Sequence, residues 1–182
     1  MLELNERENS TTKRILKEND KKVDVNVKKR YYDSGALLSE APYKNGKEHG
    51  VVKWYYDSGA LLSEAPFVNG KKHGAAKDYY ESGALLSEAP YKNGKLHGVK
   101  KVYSESGQLN WEILYINGGL KGTNNYDESG QLMYETPYTN GKFHGIQKGY
   151  YENGKLKEER LYVDGELKGI NYYDENGRQI IK

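Results

Sequence analysis

The chain repeats, and that constrains it more than any other feature. An acidic residue, then Ser or Asn, then Gly recurs with its glycine at Gly35, Gly59, Gly83, Gly107, Gly130, Gly154 and Gly177. The spacings are 24, 24, 24, 23, 24 and 23 residues. A fixed period of this length means stacked copies of one small unit, each buried mainly against its neighbours. Six copies are full and a seventh is cut short.

Two turn signals alternate within the period. Asn-Gly stands at Asn45, Asn69, Asn93, Asn117 and Asn140, with Asp164-Gly165 as the last. Both residues of such a pair tolerate positive φ, which a two-residue hairpin turn requires. The landmark itself, as in Asp57-Ser58-Gly59, reads as a three-residue hairpin loop with Gly in the left-handed position. Short runs rich in Tyr, Leu and Val lie between the turns. The expectation is an all-β fold: an elongated single-layer antiparallel meander of about 14 strands, spanning on the order of 65 Å at ~4.8 Å per strand. An entry strand is expected near Val27–Tyr32 and an exit strand at Arg178–Ile181.

Three apolar positions recur: a Tyr four before each landmark glycine, a Leu two after it, and an aromatic eight after it. Closing this register takes 23 residues. The 24-residue repeats are therefore expected to carry a β-bulge after His-Gly, within Val51–Trp54 for example, and the 23-residue repeats to lack one. The long repeats have Pro42, Pro66, Pro90 and Pro137 with His49, His73, His97 and His144. The short ones have Leu114 and Leu161 with Lys121 and Lys168.

Residues 1–27 form a charged arm ahead of the repeat domain, 28–182. Ser10–Asn19 is expected as a short helix or a loosely docked tail, with Ile15 and Leu16 placed to cover the open edge of the first strand.

Only 36% of residues are hydrophobic, and 18 are Tyr against 2 Phe and 2 Trp. A thin sheet needs few apolar residues, and Tyr covers a neighbour while keeping its hydroxyl wet. Charge is balanced, 28 basic residues to 26 acidic, which argues against nucleic acid or an anionic membrane as partner. Cysteine is absent, and no run has the length of a membrane span or export signal. A cytoplasmic location is expected, with the cell surface as the alternative if an export signal precedes this sequence.

The histidines recur at about 10 Å intervals in a hairpin stack, too far apart to share one metal ion. The structural reading packs each against the proline opposite. Glu40, Glu64, Glu88, Glu112, Glu135 and Glu159 repeat identically, so nothing separates an acid role from a base role. Cross-strand pairing with Lys53, Lys77, Lys101 and Lys148 is the better account. The glycines after the histidines precede strands, not helices, and so make no phosphate loop. They are expected to leave room for an aromatic ring. No catalytic residue, cofactor or metal is expected.

The pattern carried by GALLSEAPYKNGKEHGVVKWYYDSG resembles the MORN-variant repeat, from about Lys28 to the C-terminus. Proteins of that family look like bacterial antitoxin or immunity components of polymorphic toxin modules, and others are similar to surface proteins. The resemblance implies a protein-binding scaffold, with a toxin as the expected partner and a surface or envelope adhesion role as the alternative. Tyr and Trp dominate binding hot spots. Trp54, Tyr56, Tyr80 and Tyr151 are therefore candidate contacts, joined by Trp111 and Tyr134, which break the repeat pattern.

Overall fold

The computed structural model describes the backbone over residues 9–18 and 21–181, and side chains over 25–181. Every regular element among them is a β-strand. The chain divides into two units, Met1–Lys95 and Leu96–Lys182.

The first unit holds β1 (Asn9–Glu18), β2 (Lys21–Tyr31), β3 (Leu37–Lys44), β4 (Lys47–Glu48), β5 (Gly50–Tyr55), β6 (Leu61–Val68), β7 (Lys71–Lys72), β8 (Gly74–Tyr79) and β9 (Leu85–Lys92). The division falls within β10 (Lys95–Leu96). The second unit holds β11 (Gly98–Tyr103), β12 (Leu109–Ile116), β13 (Gly119–Tyr126), β14 (Leu132–Thr139), β15 (Lys142–Phe143), β16 (Gly145–Tyr150), β17 (Leu156–Val163), β18 (Glu166–Tyr173) and β19 (Gln179–Ile180). Each unit is a single-layer antiparallel meander.

The turn chemistry is the one that the sequence specifies. Asn69 has φ 52° and Gly70 φ 78°, the paired positive angles of a two-residue hairpin turn. At the landmark, Tyr56 N–H donates to Ala60 O at 2.8 Å and Gly59 N–H donates to Tyr56 O at 2.9 Å, while Gly59 sits at φ 88°. Tyr55 pairs with Leu61 but Trp54 pairs with Ser63. Leu62 is therefore an extra residue, the bulge that lets a three-residue loop rejoin the ladder.

The second irregularity corrects the expected bulge. In the long repeats β4 and β5 are interrupted at His49. Tyr43 pairs with Glu48, yet Glu40 pairs with Lys53, so two residues separate the registers. The short repeats are not regular either. Leu114 pairs with Gly122 and Tyr115 with Leu120, leaving Lys121 over, and Lys168 is left over in the same way. The long type differs from the short by one residue, as the period requires. The irregularity lies at His-Gly itself, ahead of Val51, and both types carry it. The interruption divides four strands and, with the added β1, raises the total from the expected 14 to nineteen among the described residues.

The arm also differs from expectation. Over Asn9–Glu18 the backbone is the strand β1, paired antiparallel with β2, not a helix. Backbone pairing thus covers the outer edge of β2. The side chains of Ile15 and Leu16 lie outside the described residues. The entry strand begins earlier than expected, at Lys21.

Burial is sparse. Val52 and Ala65, cross-strand neighbours, are each 2% exposed, and Ala89 is 5% exposed. With so little core, the rows of side chains that run from strand to strand carry much of the packing.

Candidate binding faces

Alternate residues share a face, and cross-strand pairing joins them into rows. One face of each unit carries the recurring Tyr and Glu. Tyr55 OH donates to Glu40 Oε1 at 2.8 Å, and Tyr79 OH to Glu64 Oε1 at 3.0 Å. In the second unit Tyr126, Tyr150 and Tyr173 donate to Glu112, Glu135 and Glu159 at 2.7–2.8 Å. Burial, then the bond to the carboxylate, pushes the Tyr55 and Tyr79 hydroxyls up to about 12. Tyr150 rises for the same causes. The expected Lys–Glu pairing is the lesser contact: Lys29–Glu40 spans 3.9 Å and Lys101–Glu112 spans 3.7 Å. Both lysines are more than one third exposed, so such pairs contribute ~0–1 kcal/mol.

Beside this ladder on the same face runs an aliphatic row. In the first unit Val27 pairs with Pro42, Val51 with Pro66 and Ala75 with Pro90. The glycines before Val51 and Ala75 are where the chain needs glycine. Gly50 has φ 114°, and a Cβ there would lie 2.9 Å from Pro42 Cγ. An added side chain on these glycines meets proline, while each glycine pairs across the ladder with an aromatic residue, as Gly50 does with Phe67. A ring does lie across Gly149, where a Cβ would meet Tyr134 Cε1 at 3.0 Å.

In the second unit the row changes character. Val99 pairs with Leu114, Leu114 with Gly122, and Gly122 with Pro137. Ile146 pairs with Leu161, and Leu161 with Gly169. Val99, Leu114, Ile146 and Leu161 are 39–48% exposed. Gly169 leaves a recess of about 280 Å³ beside Ile146, Leu161 and Ile170. The sequence pointed here only through the Pro-to-Leu change at Leu114 and Leu161.

The aromatic candidates lie elsewhere. Tyr56 OH donates to Tyr79 O at 2.8 Å and Tyr151 OH to Tyr173 O at 2.7 Å. Each ties one loop to the strand end one repeat on. Tyr80 holds the equivalent sequence position. Trp54 stands between Ser39 and Ser63, on the face opposite the Tyr–Glu ladder. Trp111 and Tyr134 both pair with Asn125 and share a hollow on that opposite face of the second unit. The structure therefore joins Trp111 with Tyr134 and leaves the other four apart from them.

His49, His73 and His144 each bond the proline opposite through the backbone, and the rings of His97 and His144 reach the next turn. His49 N–H donates to Pro42 O at 2.8 Å. His97 Nδ1 lies 3.2 Å from Asn117 Oδ1, and His144 Nδ1 lies 3.2 Å from Asp164 Oδ1. Among the described residues no three His, Asp or Glu side chains are grouped to hold a metal ion.

Stacked hairpins with flat exposed faces and hydrogen-bonded side-chain ladders define a repeat scaffold. The family model described as MORN repeat variant matches residues 25–45, 48–69, 72–93, 96–117, 124–140 and 143–164, well over half of the chain. The chain belongs to that family. MORN repeats commonly mediate binding to proteins or membranes. No curated protein matches the chain.

Proposed function

We propose that the chain is a cytoplasmic antitoxin or immunity protein that binds a toxin through the second unit's aliphatic row and occludes it. The observation that supports this is the row itself: Val99, Leu114, Ile146 and Leu161, each 39–48% exposed. Exposed apolar side chains in a row on a polar chain mark a place where another protein sits. The recess beside Leu161 offers an anchor point, and hot spots form where one side chain fills such a depression. The Tyr–Glu ladder next to the row supplies a polar rim. Of the aromatic candidates, Trp54, Trp111 and Tyr134 lie on the other face, while Tyr56 and Tyr151 have their hydroxyls engaged internally. We therefore assign the toxin to the row. Binding alone is the mechanism: it needs no cofactor and no catalytic group.

Co-expression with the product of the adjacent reading frame tests the reading. Growth rescue and co-purification are the expected result. A neighbour that is neither toxic nor bound removes the toxin from the proposal.

A further inference from the structure

We propose that the hollow on the opposite face of the second unit binds a neutral sugar, one or two pyranose rings in size. The hollow holds about 320 Å³, at the lower end of the range for small-molecule sites. Its walls are aromatic. Trp111, 41% exposed, and Tyr134 stand at one end. At the other, Tyr138 meets Phe143 edge-to-face at 5.0 Å. Its floor is polar and uncharged: Thr123, Asn125, Thr136 and Gln147.

The floor has unused hydrogen-bonding capacity. Gln147 Nε2 donates to Thr136 Oγ1 at 2.9 Å, and Gln147 Oε1 is buried with no partner. Turning the amide over does not cure this, because Thr136 then pairs with the oxygen and strands the NH₂ group. A buried amide atom without a partner costs ~1–3 kcal/mol. A ligand that brings both donors and acceptors recovers that cost. The Asn125 side chain and the Trp111 indole line the same hollow. No charged side chain lines the hollow.

A pyranose ring matches this environment. Its C–H face packs on an indole or phenol, and its hydroxyls both donate and accept. An aliphatic side chain from a protein would fill the space but leave Gln147 unpaired.

The repeat does not create this site by default. In the first unit the positions equivalent to Trp111, Thr123 and Thr136 hold small or aliphatic residues: Ser63, Val52 and Ala65. Val52 and Ala65 are core. Thr123 and Thr136 put neutral hydrogen-bonding groups where Val52 and Ala65 are core.

The full chain carrying Trp54→Phe leaves Trp111 as the single tryptophan. Its emission is titrated with maltotriose, cellotriose and chitotriose, each up to about 20 mM, a concentration that saturates a millimolar site. The expected result is a saturable change with at least one of the three, weakened at least about tenfold by Gln147→Leu and unaffected by Leu161→Ala on the other face. Saturation-transfer NMR on the sugar protons with Trp111→Ala, an exposed substitution, gives a second reading if Gln147→Leu does not fold; loss of transfer is expected. No response to any of the three sugars overturns the proposal. So does a response that survives Gln147→Leu and Trp111→Ala, or displacement of Trp111 emission only by an uncharged tetrapeptide.

Discussion

At the scale of the residue, the bond from Tyr55 to Glu40 and its copies does the work that a core does in a thicker protein. The hydroxyl is harder to ionise in the fold than in the unfolded chain: about 12 for Tyr55 and Tyr79, against an ordinary 10.0. A raised folded value means that the neutral phenol is the stabilising form. Its contribution is complete below about pH 10 and is lost as pH climbs toward about 12. Urea unfolding should show stability falling across that window, with Tyr55→Phe flattening the fall and costing about 1 kcal/mol at neutral pH. A second residue-scale expectation concerns Gly50. Alanine there meets both a left-handed backbone, φ 114°, and Pro42 at 2.9 Å. Gly50→Ala should cost about 1–3 kcal/mol. Gly169→Ala, where nothing lies within 4 Å and φ is ordinary, should cost less than about 1 kcal/mol by the same unfolding assay. The tyrosine positions were legible from their period. Their partner was not: Glu40 is 15 residues before Tyr55, an offset that appears only once the pairing register is known.

At the scale of the element, the repeat length is a statement about bulges. The one-residue difference between repeat types was legible, because it is a count. Its location was not, since the count omitted the extra Leu62 that the landmark loop requires. That omission made a 23-residue repeat look regular. The same logic gives a sharp test. Lys121 is the unpaired residue of β13, so deleting it joins the registers on its two sides into one regular ladder and straightens the strand. That deletion should leave the chain folded at a cost of no more than about 3 kcal/mol, whereas deleting Asn124, paired on both sides, shifts the register by one and should cost more or abolish folding. Circular dichroism and urea melts of the two variants separate these outcomes. The first strand shows how pattern reading fails. A charged stretch with Ile15 and Leu16 side by side carries little periodicity of either kind. Pairing with β2, a tertiary event, makes it a strand.

At the scale of the molecule, the two units use the same repeat differently. In the first, one face is packed around Val52 and Ala65, and the aliphatic row is made of valine, alanine and proline. In the second, that face opens into the Trp111 hollow, and the row becomes Val99, Leu114, Ile146 and Leu161. The notion that later copies carry the distinctive surface was legible from Trp111 and Tyr134, which break the pattern. The aliphatic row was not, because Leu and Ile in a strand read as core until the absence of a second layer is known. The measurement closest to the central claim is calorimetric titration of the toxin we propose as partner into wild type and into Ile146→Asp/Leu161→Asp. Both side chains are exposed, so the variant should fold and melt as wild type does, and affinity should fall at least about tenfold. A folded variant that binds the toxin with unchanged affinity would contradict the account.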